Sequence, residues 1–159
     1  MTTVAALSPA EQVAWRAFLR AHATLLRRLE AELVAEHDLP LPSYDVLVQL
    51  SESPSGTLRM TELAERVLLS RSGLTRLVDR LVRDGLVQRR ACPQDARGTL
   101  AELTPAGLDR LRDAWPTHVR GVAAHLGRLS ADEVDTLAVL LGRLVPDAGA
   151  DGAGPPAAC

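Results

Sequence analysis

The chain has 159 residues, of which 47% are hydrophobic and 24% are charged, and these proportions exclude a chain that is disordered throughout. Its formal net charge at pH 7 is −2, and all 18 of its basic residues are arginine. No apolar stretch approaches the ~18 residues of a membrane span, the N-terminus lacks the pattern of a secretory signal, and two cysteines are too few for a disulfide framework. We therefore expect one domain in a reducing cytoplasm.

The first helix is predicted to begin at a capping box and to be unusually long. Ser8 is followed by Pro9 and Glu11, which a capped helix start prefers, and apolar residues then recur at helical spacing to about His37. At 1.5 Å per residue such a helix is ~40 Å long, more than a small domain needs to cover its own core. We therefore expect a second chain to pack against its N-terminal half.

Elements of a different kind are predicted in the middle of the chain. They are a second helix from Tyr44 to about Glu52 capped by Ser43, an extended segment at 58–60, a third helix that Thr61 begins and that runs to about Val67, a fourth helix from Arg71 to Asp84 capped by Ser70, and two strands at 86–91 and 99–103 around a turn at 92–98. Gly85 follows the fourth helix where a left-handed cap is wanted. Helix, turn, helix and hairpin in this order predict a winged helix-turn-helix with a two-stranded wing.

Two more helices are predicted after the hairpin, which makes the fold mainly helical with six helices. Thr104 begins the fifth, which runs to about Leu129 with a kink at Pro116. Ser130 caps the sixth, on which four aliphatic residues share one face: Val134, Leu137, Leu141 and Leu144. This face has no place in one small core, and we predict that it lies in a homodimer interface. The tail at 146–159 is rich in Gly, Ala and Pro and is predicted to be flexible.

The basic residues are concentrated in the winged region. Residues 57–103 hold nine arginines and six acids, which gives +3, whereas residues 1–56 give −3 and residues 104–159 give −2. Such a distribution is typical of an anion-binding module on a larger scaffold. The charge pattern therefore favours a nucleic-acid partner, which the net charge alone does not.

The fourth helix has the composition of a DNA recognition helix. Its N-terminal end is small, polar and cationic, which suits the major groove, and its backbone amides suit a phosphate. Arg97, at the predicted wing tip beside the structuring acid Asp95, suits a narrow minor groove. The candidate DNA-binding residues are Ser70, Arg71, Ser72, Thr75, Arg76, Arg80, Arg89, Arg90 and Arg97. The alternative is an ordinary solvated amphipathic helix with surface arginines.

Two motifs in this region resemble those of MarR-type transcriptional regulators. Asp95-x-Arg97, followed by Leu103-Thr104-x-x-Gly107, is similar to the family's wing signature. The run LSRSGLTRLVDRL at 69–81, with Gly85-Leu86-Val87-x-Arg89, is similar to its recognition helix and first wing strand. The resemblance covers residues 9 to about 145.

The resemblance implies an architecture and a function. It implies an obligate homodimer with a helical platform, about 9–38 and 104–145, and two winged DNA-binding lobes, about 43–103. It also implies binding to a pseudo-palindromic operator as a repressor, relieved when a small molecule, a metal ion or an oxidant reaches the junction of platform and lobe. The candidate effector pocket at that junction consists of Trp15, His22, Tyr44, Trp115 and His118, although packing explains these residues as well.

No enzyme, cofactor or metal site is predicted, because the chain has no phosphate-binding Gly-rich loop and no metal-ligand spacing among its four histidines and Cys92. Two alternatives stay open. Cys92 at the wing base is a candidate redox switch, but the favoured interpretation is an inert small residue. A winged helix can also bind proteins instead of DNA, although such a module has no need for six arginines on one lobe.

Overall fold

The computed structural model describes residues 6–92 and 95–145, and of residues 95–97 it describes only the backbone. Six helices and three strands occur in this part of the chain: α1 (Pro9–His37), α2 (Leu41–Glu52), β1 (Thr57–Arg59), α3 (Met60–Arg66), α4 (Arg71–Arg83), β2 (Val87–Cys92), β3 (Asp95–Leu103), α5 (Pro105–Leu126) and α6 (Ala131–Leu144). The predicted tail at 146–159 lies outside the described residues. None of the helices described is both long enough and apolar enough to cross a membrane.

Helix α1 has the predicted start and end. The Ser8 hydroxyl accepts a hydrogen bond from the Glu11 amide at 3.3 Å, and the Glu11 carboxylate accepts one from the Ser8 amide at 2.7 Å. Asp38, with φ +48°, ends the helix in the left-handed conformation. Only Leu29 and Leu33, near the C-terminal end, are buried, so the N-terminal half of α1 has no partner among the described residues.

The predicted start of α2 at Tyr44 is wrong by three residues. The helix begins at Leu41, and Ser43 is a buried residue inside it instead of its cap. The Glu30 carboxylate of α1 accepts a hydrogen bond from the Leu41 amide at 2.5 Å, and the Pro40 carbonyl accepts from Tyr44 at 3.0 Å. A side chain from another helix therefore supplies the cap, which local sequence does not reveal.

The sheet has three strands instead of the two predicted, in the order β1-β3-β2. The extended segment predicted at 58–60 is strand β1, which pairs with β3 through Leu58 and Ala101, and Met60 already belongs to α3. A partner more than forty residues away is not visible in a local pattern.

Strand β3 is longer than predicted, and β2 has the predicted length but begins and ends one residue later. The backbone of Asp95 pairs with Cys92 after a shift in register at Ala91. Asp95 and Arg97 therefore lie in strand β3 and not on the predicted loop. Of the predicted turn at 92–98, Cys92 lies in β2 and residues 95–98 lie in β3, whereas residues 93 and 94 lie outside the described residues.

The core joins the winged lobe to α1 and α5. Its largest fully buried side chains are Tyr44, Leu33, Leu47, Leu50, Leu63, Leu74, Leu81, Val46, Val78 and Val87. Leu111 and Ala114 bring α5 into the same cluster. Because α1 and α5 contribute to a core that lies mostly in the lobe, the lobe is packed directly against both long helices.

Thr104 and Gly107 fix the start of α5 against the end of α4. The Thr104 hydroxyl accepts a hydrogen bond from the Gly107 amide at 3.0 Å and donates one to the Gly85 carbonyl at 2.7 Å. A Cβ on Gly107 would lie 2.1 Å from the Leu86 carbonyl oxygen, so only glycine fits there. The Leu-Thr-x-x-Gly motif is thus a close backbone contact between the base of the wing and α5.

The last two helices follow the prediction with one correction. Helix α5 contains Pro116 but ends at Leu126, three residues earlier than predicted, because Gly127 serves as its C-cap. The capping box of α6 at Ser130 is present, and α6 has no buried residue among those described. Leu137, Leu141 and Leu144 are 36%, 39% and 69% exposed, so the predicted apolar face of α6 is uncovered in the monomer.

Candidate nucleic-acid interface

The N-terminal end of α4 presents a capped, polar surface. The Ser70 hydroxyl accepts a hydrogen bond from the Gly73 amide at 3.1 Å and lies 3.4 Å from the Ser72 hydroxyl. The Thr75 hydroxyl donates to the Arg71 carbonyl at 2.8 Å. The opposite face of α4 is buried through Leu74, Leu77, Val78 and Leu81. The sequence-predicted polar residues therefore share the outer side of the helix.

Four exposed arginines lie along α4: Arg71, Arg76, Arg80 and Arg83. Within the described part of the chain, none of them forms an ion pair. Arg83 was missed by the sequence analysis, although it follows Arg76 by seven residues, which places both on one side of a helix. Among the described residues, the exposed part of α4 therefore carries four cations that have no carboxylate within ion-pair distance.

Arg80 differs from the other three arginines in its surroundings. It lines a cavity of about 760 Å³ between the end of α4, the α1–α2 junction and the first turns of α5. Asp84, Asp109 and Asp113 line the same cavity. Arg80 therefore faces acidic side chains near the C-terminal end of α4, away from the N-terminal end of the helix.

The two arginines of strand β2 each have a carboxylate partner. Arg89 Nη1 lies 2.9 Å from Asp79 Oδ1 on α4, and Arg90 Nη1 lies 3.2 Å from Glu102 Oε1 on β3. Gln88 also donates to Glu102, at 2.8 Å. Of the arginines predicted to contact DNA, these two are therefore partly neutralised within the protein. The side chains of Asp95 and Arg97 lie outside the described atoms, and their roles stay predictions.

Cys92 is buried at the end of strand β2. The Arg59 guanidinium donates to its sulfur at 3.4 Å. This arginine immediately precedes α3 and was not among the sequence-predicted residues, because Arg59 reaches the wing only through the pairing of β1 with β3. A redox role for Cys92 stays a prediction.

The five candidate effector residues form two separate groups and one outlier. The rings of Tyr44 and His118 stack with their centres 4.6 Å apart, in the interior between α2 and α5. Trp15 and His22 lie along α1 on either side of Phe18, whose ring centre is 5.9 Å and 6.2 Å from theirs. Trp115 is half exposed on α5.

Tyr44 is buried and His118 is half-buried, and each has one buried polar atom without a hydrogen bond in the described part of the chain. Neither Tyr44 Oη nor His118 Nδ1 has a hydrogen-bond partner among the described residues. Burial raises the pKa of Tyr44 to about 12 and lowers the pKa of His118 below its ordinary value, so both side chains are neutral at pH 7. Two buried polar atoms without partners are unusual and need an explanation.

A large groove runs along the N-terminal part of α1, beside the end of α5 and the start of α6. It has a volume of about 760 Å³ and is lined by α1, the end of α5 and Leu137 of α6. Its lining combines apolar side chains with four arginines: Arg16, Arg20, Arg28 and Arg128.

Comparison with known proteins identifies the family. Residues 37–98 match the model of the MarR family. The multiple antibiotic resistance protein MarR of Escherichia coli is 31% identical over 120 residues, which cover 75% of this chain and 82% of that protein. The chain belongs to the MarR family. The resemblance inferred from the two motifs is therefore confirmed.

Other MarR relatives agree with the architecture described above. The crystal structure of the MarR regulator Sco3205 from Streptomyces coelicolor, solved in complex with DNA, is 36% identical, with a TM-score of 0.85 over 92% of both chains. This neighbour confirms the mainly helical winged fold. The transcriptional repressor YetL of Bacillus subtilis is 35% identical over 101 residues, but the match spans only 60% of its length.

Proposed function

We propose that this MarR-family chain is a homodimeric transcriptional regulator, of the repressor type, that binds a pseudo-palindromic DNA operator. The observation that supports it best is the outer side of α4, where Ser72 and Thr75 lie beside the unpaired cations Arg71 and Arg76. A capped helix of this kind fits the major groove, because its side chains reach base edges while its amides and arginines meet phosphates.

The residues of the lobe divide by the part of DNA that they contact. Ser72, Thr75 and Arg76 face base edges near the start of α4, and Ser70 and Arg71 face the phosphates beside them. Arg83 adds a cation farther along the same side of the helix. Arg97 on β3 enters the minor groove, where narrow A·T-rich sequence has a strong negative potential. Such a protein acts in the cytoplasm, where it meets chromosomal DNA.

The dimer is supported by the surfaces that one chain leaves open. Large apolar side chains in the N-terminal half of α1, such as Val13 and Trp15, and the leucines of α6 are exposed, and a groove with both apolar and cationic lining lies beside α1. A second copy that covers them forms a platform from residues 9–38 and 104–145, with the lobes at 43–103 below it. The two α4 helices then reach successive major grooves ~34–36 Å apart.

A small-molecule effector is supported by the Tyr44–His118 pair. Tyr44 Oη and His118 Nδ1 are buried polar atoms that lack partners, and a bound molecule with a donor and an acceptor would satisfy both. Because the pair lies where α5 meets the lobe, the same molecule would change the position of α4 relative to the platform.

Selection from a randomised duplex library tests the proposed function directly. We expect the purified protein to enrich a sequence with two inverted half-sites, and we expect its affinity for that duplex to fall at least tenfold between about 50 and 200 mM salt, because phosphate neutralisation releases counterions. Failure to enrich any sequence, with binding that is weak and insensitive to salt, would contradict the proposal and favour a protein-interaction module.

A further inference from the structure

One side chain crosses from the wing to the recognition helix. Arg89 extends from strand β2 to α4, where its Nη1 lies 2.9 Å from Asp79 Oδ1 and its Nη2 donates to the Thr75 carbonyl at 3.5 Å. Asp79 follows Thr75 by one turn of the helix, so a single guanidinium contacts two successive turns. The side chains of Arg89 and Asp79 are 36% and 50% exposed, which leaves the contact open to solvent on one side.

The neighbours of Arg89 on β2 have a different connection. Gln88 and Arg90 both bond to Glu102 on β3, so they stabilise the wing internally. Because side chains alternate across a strand, Arg89 alone of these three faces α4. The connection between α4 and β2 is also held at the C-terminal end of the helix, where the amide of Leu86, just before β2, donates to the Leu81 carbonyl at 2.9 Å.

We propose that Asp79 and Arg89 are positioning residues that hold the wing at a fixed angle to the recognition helix. The inference rests on the proposed function, and it assigns Arg89 a role other than the direct DNA contact that its charge suggests. The Asp79–Arg89 contact and the Leu86–Leu81 hydrogen bond together hold α4 and the wing as one rigid unit. The helix then enters the major groove and the wing the minor groove in a fixed relative orientation. Operators whose grooves match that geometry are then preferred over other sequences.

A positioning role for the Asp79–Arg89 contact and simple electrostatics predict opposite effects of Asp79→Asn on the affinity for the operator. Asp79→Asn removes a negative charge from the DNA-facing side of α4, and by charge alone it should tighten binding to every duplex. Loss of the Asp79–Arg89 contact instead lets the wing move relative to the helix, which weakens binding to the selected operator and not to unrelated DNA. The ratio of the two affinities therefore separates the explanations.

The experiment compares variants on two duplexes of about 30 base pairs, one selected by the wild-type protein and one with its sequence scrambled. We expect Asp79→Asn and Arg89→Gln each to lower the ratio of affinities at least fivefold, with scrambled DNA bound as well as or better than before by Asp79→Asn. The double variant should lose no more than the larger single loss, because both changes remove one contact. Asp109→Asn, which breaks the exposed pair with Arg112 on α5, is the matched control and should leave the ratio unchanged.

Three results would overturn the positioning role. They are an unchanged or higher ratio for Asp79→Asn, losses that multiply in the double variant, and a salt slope reduced by about one in Arg89→Gln, which would indicate a neutralised phosphate. Exposed ion pairs contribute little to stability, so we expect thermal unfolding of all variants to match that of the wild type. If the wild-type protein selects no duplex, the proposed function itself fails, which is a distinct outcome.

Discussion

Gly107 is the residue at which the base of the wing and α5 come closest. Its missing side chain lets the Leu86 carbonyl approach within 2.1 Å of where a Cβ would lie. Neither group can move independently, because Leu86 accepts a backbone bond from Thr104 and the Thr104 hydroxyl holds the Gly107 amide. The contact therefore sets how the lobe leaves the platform helix.

Gly107→Ala is expected to destabilise the protein by about 3 kcal/mol, because the new methyl meets backbone and not a flexible side chain. Urea unfolding followed by circular dichroism measures the change. Ala106→Ser, at the exposed neighbouring position, is the control and should change the unfolding free energy by no more than about 0.5 kcal/mol. Equal stability of both variants would mean that the backbone contact is not held.

Asp45 carries a stability cost at neutral pH. Although the residue is exposed over its surface as a whole, desolvation of its carboxyl, and after that the charge of Glu30, raise its pKa from 3.8 to about 6. A raised carboxyl pKa means that the folded state binds a proton more readily than the unfolded state does. Stability therefore falls as the pH rises from about 4 to about 6.

Asp45→Asn should accordingly stabilise the protein at pH 7.5 by about 1 kcal/mol, less than the full shift implies because solvent screens the carboxyl. The gain should shrink towards zero near pH 4, where the wild-type carboxyl is protonated in the folded state. Thermal unfolding of both proteins across this range measures it. A gain that persists at low pH would show that the charge is not its cause.

Arg76 and Arg97 should affect DNA binding in different ways. Arg76→Ala removes the proposed base contact and should cost about 1–3 kcal/mol on the operator while relaxing preference at particular base pairs. Arg97→Ala should weaken binding mainly to operators with A·T-rich flanks. Affinities for a set of operator variants measure both effects. Equal losses on every sequence for both arginines would refute this division.

At the scale of elements, α6 is a helix without a core of its own. None of its residues is buried, although Leu137, Leu141 and Leu144 share one face. Helix α1, by contrast, is held at its C-terminal end by α5, where the Thr117 hydroxyl donates to Glu36 at 2.9 Å and lies 2.8 Å from His37 Nε2. We therefore expect the order of α6 to depend on the second chain of the proposed dimer.

Replacing Leu137 and Leu141 together by Glu should abolish the dimer, because two carboxylates cannot be buried unpaired in an apolar interface. Sedimentation at micromolar concentration should then show a monomer, and affinity for the selected operator should fall about a hundredfold or more. Val139→Glu is the control, since Val139 lies beside the polar residues Asp132 and Asp135 on the other side of α6. A wild-type protein that sediments as a monomer would contradict the homodimer.

At the scale of the whole molecule, the lobe and the two long helices share one core. Gly121 of α5 lies so close to α1 that a Cβ there would be 2.6 Å from Leu29 and 2.7 Å from the Glu32 carboxylate. A molecule bound beside Tyr44 and His118 would act on this packed junction, and a change there alters the spacing of the two lobes without touching DNA.

An effector that releases DNA in this way should bind more weakly when the operator is bound, by the same factor by which it weakens operator binding. Tryptophan fluorescence measures both affinities, because Trp15 and Trp115 are the only two tryptophans in the chain. An inducing compound whose affinity is the same with and without saturating operator would contradict the mechanism.

The sequence by itself determined the helix ends that depend on neighbouring residues. Ser8, Ser70 and Ser130 cap helices as predicted, because each bonds to an amide three residues later. The outer surface of α4 followed from helical periodicity in the same way. These features need no information from elsewhere in the chain.

Tertiary structure alone decided the features that join distant segments. The Glu30 carboxylate of α1 accepts a hydrogen bond from the first residue of α2, and strand β1 pairs with β3. Arg89 on the wing forms an ion pair with Asp79 on α4. In the sequence, Arg89 has the same charge as Arg76 and the same predicted role. Only the folded chain places a carboxylate 2.9 Å from Arg89, whereas Arg76 forms no ion pair within the described residues, because contacts between distant segments depend on how the whole core packs.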